Sequence, residues 1–407
     1  MLFDVIKKAS WDLDIAQSKL AELKKLEMIN DENIAAILLA ADNYADSLAV
    51  LLARLEALRG FKSTLDIEKF LAKTADQLFF HEQIFDELHE KFSQNADFQA
   101  SASNVRELIG RSISVLFTVS ADDKGLADAI LKSALNYLES LRELGAAEII
   151  ERWGEYLGDT ERRQLAISKE TLLIRFSGWL EYQSLVGGVL VLPGFDVSSS
   201  DFLRRLRLLD EVRELIANSD LKSQINVLRQ HFIDQLRANG RIGEEESTVA
   251  IAIAEKYLAE LEKVLAEIKP IPSSVKQLWD RAKFQIEQAN ELLAKENYGN
   301  AFGQAIASAA AARTAIAQLF SPDASVEIKI LAADYDRLFQ IAADSGFNKE
   351  NQPELSALFR EAEKKIGEVA QLITNGSGKD KLIIPVHQIK LLLVTIEFFL
   401  EGEASSE

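Results

Sequence analysis

The constraint that narrows this chain most is an omission: no proline occurs between Met1 and Leu192. A proline inside a helix removes a hydrogen bond and clashes with the preceding turn, at about 3 kcal/mol, so a long proline-free stretch poor in glycine suits stacked long helices. The implied fold class is all-α, an array of antiparallel helical hairpins or helical bundles with little or no β-sheet. At 407 residues, 48% of them apolar, the chain has material for two or three domains or for one elongated array.

Apolar residues recur at helical spacing along most of the chain. Ala9, Leu13, Ala16, Leu20 and Leu23 predict one stripe, and Ile34, Ile37, Ala41, Ala45, Leu48, Leu52 and Leu55 a second, with Asn30 placed to cap it and Asp31 and Glu32 suited to its positive end. So short a turn makes the two helices antiparallel. After Gly60, Asp66 reads as a cap for a helix carrying Ile67, Leu71, Ala75, Leu78, Phe85, Leu88 and Phe92 inward, with Asn104 to Phe117 as its partner. Further helical segments between Asp122 and Val186 are interrupted near Gly145 and Gly158.

Gly187 to Ser200 (GGVLVLPGFDVSSS) is the clearest break and predicts a domain boundary near Pro193. Beyond it, Ser200 or Asp201 caps a helix bearing Phe202, Leu206, Leu209, Val212 and Ile216, and a break at Asn218 to Asp220 admits another to about Ala238. Ile251, Ala254, Leu258, Leu261, Leu265 and Ile268 have the spacing of a coiled-coil seam, stopped by Pro270 and Pro272. Val275 to Lys295 and Tyr298 to Phe320 form the best-defined hairpin; its second helix carries Tyr298, Phe302, Ala305, Ala309, Ala312, Ile316 and Leu319 on one side, and small residues with Gly303 permit close approach. A last pair follows, turning at Asn375 to Lys379 (NGSGK). The organisation expected is 1–120 N-terminal hairpins, 121–192 a central helical region, 200–243 connecting helices, 244–320 a hairpin and 321–407 a C-terminal hairpin.

Three segments, FDVIKKASWDLDIAQSKLAEL from Phe3, FLAKTADQLFFHEQIFDELHEKF from Phe70 and AKENYGNAFGQAIASAAAA from Ala294, together resemble a bacterial all-helical domain family of unknown function. That family occurs in predicted exported proteins of small-genome, uncultured lineages, and the resemblance covers about residues 3–92 and 247–320. It brings no catalytic or ligand residue. It implies an extracytoplasmic location, with a signal peptide and a short proline-containing segment ahead of the part that starts here at Phe3.

Charge and composition exclude several chemistries. A net charge of −18 repels a phosphate polyanion, since nucleic-acid binding is driven by basic clusters releasing counterions. The best basic cluster, Arg204, Arg205 and Arg207, shares its helix with Asp201, Asp210, Glu211 and Glu214 and reads as a solvated mixed-sign face. The lack of cysteine removes disulfides, thiolate metal sites and cysteine nucleophiles together, and suits exported and cytosolic proteins equally. No leader pattern follows Met1. Leu382 to Leu400 is strongly apolar but interrupted by Pro385, His387, Gln388, Lys390 and Glu397, which predicts a buried C-terminal helix and no transmembrane segment.

His81 and Glu82 open an HExxH-like string whose fifth position is Phe85, and His89 and Glu90 fail likewise at Ser93. Asp86 and His89 supply one acid and histidine three apart, half of what a carboxylate-bridged bundle needs; His231 and His387 follow Leu228 and Ile384 instead. Solvent-facing or half-buried roles are expected for His81 and His89. Gly376, Gly378 and Lys379 are followed by Asp380, where a phosphate loop requires Ser or Thr. No catalytic residue, cofactor or metal site is therefore assigned. Trp11, Trp153, Trp179 and Trp279 lie among apolar neighbours and are expected in the core, whereas Trp153 with Tyr156, and Trp179 with Tyr182, form a partner surface if exposed together. The reading is a non-enzymatic scaffold for a protein or cell-envelope partner. Reversible lipid or membrane-surface binding is the alternative, and a hydrolytic enzyme with a scattered carboxylate site comes third.

Overall fold

A computed structural model describes residues 2–29, 34–92, 95–136, 143–186, 202–216, 218–238, 240, 242–266, 268, 270–320, 324–347, 352–377 and 381–404. Among these the chain forms fifteen α-helices and no strand. The Gly187–Ser200 break with Pro193, the Asn30–Glu32 cap, the Ser200 and Asp201 caps and the Gly378–Asp380 part of the last turn lie outside the described residues. The chain divides into two compact units, one up to Lys169 and one from Glu170 onward.

In the first unit, α1 (Leu2–Ile29) lies against α2 (Ile34–Leu58), α2 against α4 (Ala96–Val119), and α3 (Leu65–Lys91) against α1, α4, α5 (Asp123–Asn136) and α6 (Glu143–Gly154). The stripes of α1 and α2 are buried as their periodicity predicts, Ile34 being half-buried. An ion pair 3.1 Å long joins Asp12, in the first half of α1, to Arg54, in the last turns of α2, as suits an antiparallel pair. Helix α3 is capped by Thr64, whose hydroxyl accepts from the Ile67 N–H at 3.4 Å, and not by Asp66, which falls in the first turn. Its partner starts earlier than Asn104, because the Asn95 side chain accepts from the Phe98 N–H at 2.8 Å and starts α4 there. Helix α5 ends at Asn136 and α6 starts at Glu143, so separate helices meet near Gly145 as expected, with Gly145 itself in the first turn of α6. Helix α7 (Asp159–Leu185) starts in the first unit and ends in the second.

In the second unit, α12 (Tyr298–Phe320) packs against α8 (Phe202–Leu215), α9 (Ser219–Ala238), α10 (Glu244–Ala266) and α11 (Ser273–Ala294). It is buried on nearly every side, not on one: Ala301, Ala305, Ala307, Ala309, Ala310, Ala311, Ala312 and Ala315 are all inside. Alanine all round makes a thin rod that several neighbours can approach at once. Gly303 faces α9 and not the α11 hairpin seam; a β-carbon there would sit 3.5 Å from Ile233. The C-terminal stretch is three mutually packed helices and not a pair: α13 (Ala324–Asp344), α14 (Pro353–Thr374) and α15 (Ile383–Ala404). Gly346 and Gly376, at φ +80° and +68°, end α13 and α14 in the left-handed conformation that glycine adopts without a side-chain clash.

By length and composition, Ile34–Leu58 and Ile383–Glu401 are apolar enough to cross a membrane, with mean hydropathies of 1.5 and 1.7. The second passes despite Pro385 and Lys390. Both also bury residues in their own units, among them Tyr44 and Leu48 in α2 and Ile389 and Ile396 in α15.

Candidate functional site

Helix α3 has neighbours on so many sides that its polar residues enter the interior along with its apolar ones. His81, Glu82 and His89 are buried, which corrects the expectation that the histidines face or half-face solvent. The spacing predicted one inward stripe; packing against four helices widened it. The His81 Nδ1 lies 2.9 Å from the Tyr44 hydroxyl in a hydrogen bond, and Tyr44 stacks on Phe85 with ring centres 5.1 Å apart.

Beside this pair lies a cluster of charge. Arg152, on α6, donates to Glu82 and to Asp86, the latter at 3.0 Å, and stands 3.6 Å from Glu148 one turn back on its own helix. Arg106, on α4, donates to the same Asp86. The Trp153 indole N–H points to the second Glu82 oxygen at 3.4 Å, while its ring meets Phe79 edge-on. Three carboxylates thus share two guanidiniums, and a second buried pair, Lys169 with Glu151 at 3.5 Å, lies nearby on α7 and α6.

Burial sets the acid–base character of these groups. It pushes the Glu82 carboxyl up, against the pull of Arg152. It raises the Tyr44 hydroxyl well above its ordinary value, reinforced by the Glu82 charge. The His81 ring is held down, to about 4, for the same reason, so it is neutral at pH 7. Glu82, His81, Tyr44 and Trp153 have no exposed surface. A general acid or base must reach the proton it moves, and these atoms meet side chains of their own unit instead. Among the described residues no three of His, Asp or Glu come together in a way that could hold a metal ion.

Neither of the two aromatic pairs that would form a partner surface is exposed together. Trp153 is buried because its indole lies between Phe79 and Glu82. Tyr156 is half-buried and lies over Gly110, where an added β-carbon would fall 2.3 Å from its ring. Trp179 and Tyr182 are half-buried in the second unit: Trp179 stacks on Phe176, and Tyr182 meets Phe399 edge-on with centres 4.8 Å apart. Trp11, expected in the core, is 67% exposed, because it sits opposite the Ala9–Leu13–Ala16 stripe.

The second unit also corrects the reading of the arginine cluster as a solvated face. Arg207 is buried with its guanidinium 5.1 Å from the Tyr257 ring centre. Asp210 is fully buried between Arg229 at 2.8 Å and Arg213 at 3.1 Å. Arg229 also donates to the Gly303 carbonyl at 2.6 Å, tying α9 to α12. Counting charges along a helix cannot reveal that the opposite charges lie on its neighbours. The same unit holds a cleft of about 220 Å³ between α7, α13 and α15, with Arg175, Arg337 and Lys390 among its lining residues. Residues that far apart in sequence leave no local signature, and the sequence reading missed them.

No family model, no curated protein and no solved structure matches this chain.

Proposed function

We propose that this protein is a non-enzymatic helical scaffold that binds a protein partner or a component of the cell envelope through the outer face of its N-terminal hairpin. The observation that carries the reading is Trp11. A large aromatic residue left 67% exposed, with exposed Ile15 one turn along, gives nothing to the core and suits the anchor of an interface. Exposed Val50 and Leu39 lie on the neighbouring helix α2. The Asp12–Arg54 pair, next to Trp11 on α1 and one turn from Val50 on α2, adds a polar rim. The buried titratable groups support the same reading, since those of the first unit are engaged with one another and inaccessible. The resemblance of the Phe3, Phe70 and Ala294 segments to an exported bacterial family of unknown function favours an extracytoplasmic partner. The charge of −18 disfavours a nucleic acid.

Photo-crosslinking tests this directly. A benzophenone amino acid in place of Trp11 should give discrete adducts in cells that make the protein, whereas the same probe at exposed Gln17 should not. Equal adducts at both positions, or none at position 11, would refute it.

A second reading, reversible lipid binding, is favoured by one observation, the two helices apolar enough to cross a membrane. Membrane-surface helices usually carry Lys and Arg on the polar face, whereas acids outnumber bases here by 64 to 46. The scaffold reading expects the protein to stay at the bottom of a flotation gradient with anionic liposomes. Flotation would transfer the assignment to lipid.

A further inference from the structure

The cleft of the second unit has an apolar floor and a charged rim in which Arg175, Arg337 and Lys390 stand with Asp334 and Glu397. Ile174 of α7, Leu331 and Leu338 of α13 and Leu393 of α15 form the floor, and all four are buried. The walls are held in place. One turn from Ile174, Gly178 brings α7 so close to α15 that an added β-carbon would lie 2.5 Å from Val394, and the Thr395 hydroxyl, which donates to the Leu391 carbonyl of its own helix at 2.8 Å, also lies 3.4 Å from the Gly178 carbonyl.

The rim charges balance in number, Glu327 included, but not in contact. One carboxylate, Glu397, is shared by two guanidiniums, Arg175 at 2.9 Å and Arg337 at 3.6 Å. Arg337 has a further contact to Asp334 at 3.7 Å, so neither of its carboxylate contacts has hydrogen-bond length, and its side chain is 52% exposed. The Arg175 Nε is buried without a hydrogen-bond partner. Lys390 is satisfied by Glu327 and is not counted as a free donor. Arg337 is therefore a planar donor fork at the mouth of an apolar slot, with a second guanidinium behind it. That arrangement suits a carboxylate, which two parallel N–H groups can hold at once.

We propose that this cleft binds small organic monocarboxylates, the anion on Arg337 and Arg175 and a short hydrocarbon body on Ile174, Leu331, Leu338 and Leu393. Size sets the length of that body. At about 30 Å³ per water-sized group, the cleft holds roughly seven non-hydrogen atoms, the scale of a five- or six-carbon acid. This site is independent of the N-terminal hairpin, so the scaffold reading and this one can fail separately.

Isothermal titration of the full chain with sodium hexanoate, and with 1-hexanol as its neutral counterpart, tests the assignment. Hexanoate should bind saturably with a dissociation constant at or below about 1 mM, and hexanol about tenfold more weakly. Arg337→Gln should weaken hexanoate about tenfold. Asp334→Asn, which frees Arg337 from a competing carboxylate, should tighten it about twofold, a change of sign that loss of folding cannot mimic. Absence of saturable binding, equal binding of hexanol, or affinities that neither variant moves would overturn the proposal.

Discussion

Helices α3 and α12 are similar in length, and each is surrounded by several neighbours, but they fill their surroundings in opposite ways. Helix α12 presents alanine on nearly every side, so its neighbours come close and the contact is mostly apolar, with polar ties at Ser308, which donates to the Ala282 carbonyl, and at the Gly303 carbonyl. Helix α3 sends His81, Glu82, Asp86 and His89 among its apolar residues, and its neighbours must bring polar partners to meet them. The first arrangement depends on shape and the second on stoichiometry: each buried charge on α3 needs its partner from another helix.

The sharpest way to break this comparison is to remove the shared cation. Arg152→Ala would remove the guanidinium that Glu82, Asp86 and Glu148 share, and deleting one member of a buried ion pair costs about 3–5 kcal/mol. Urea unfolding should show a loss of that size. A loss under about 1 kcal/mol, the range of an exposed pair such as Arg54 with Asp12, would mean that the cluster is solvated and the contrast with α12 is false.

Acid probes the same region more gently. The unfolded chain protonates His81 near pH 6.5, but the folded one only near 4, because burial disfavours the imidazolium. Below pH 6.5 the unfolded state therefore binds more protons. The His81 contribution is fully present above pH 6.5 and falls as the pH drops towards 4, by about 2 kcal/mol at pH 5 and about 3 at pH 4. Glu82 works in the opposite sense, since its raised carboxyl takes up a proton more readily when folded. Comparing wild type with His81→Asn cancels that term: wild type should lose about 2 kcal/mol more than the variant between pH 7 and 5. Parallel losses would show that His81 is not the titrating group.

The same contrast explains what could be read in advance. Periodicity located α1, α2, α8 and α10 because in each most of the apolar residues that repeat are the ones that are buried. The absence of proline and the spacing of leucine and alanine are local signals. Burial of Glu82 depends on Arg152, seventy positions away on a helix whose placement no local pattern declares. Arg207 looked solvated for the same reason, as its partner ring at Tyr257 belongs to α10. Trp11 misled in the other direction: an aromatic residue in a helical stripe is usually core, but its angular position, opposite Ala9 and Leu13, was legible and decides the matter. The α12 alanines also held an unread signal, because a helix that is small and apolar on all sides is central to its bundle. Nothing in the spacing of Arg175 and Arg337 suggested one cleft.

The smallest effect expected is also the most discriminating, because one substitution made in each region should change sign. Glycine inside a helix costs about 1 kcal/mol relative to alanine, so replacing it stabilises wherever the new methyl group finds room. At Gly303 of α12 the added carbon would meet Ile233 at 3.5 Å and Arg229 at 3.8 Å, ordinary contact distances, and Gly303→Ala should raise stability by about 0.5–1 kcal/mol. At Gly110 of α4 the same carbon would fall 2.3 Å from the ring of Tyr156, which must move or distort the helix, and Gly110→Ala should instead cost about 1–3 kcal/mol. Tyr156 lies one turn beyond Arg152, so displacing it also disturbs the end of the helix that supplies the charge cluster. Thermal unfolding of the two variants reads the signs directly. If Gly303→Ala destabilises, α12 is packed more tightly than an alanine rod allows; if Gly110→Ala stabilises, Tyr156 is free to leave, and the first unit tolerates changes that a matched polar interior should not.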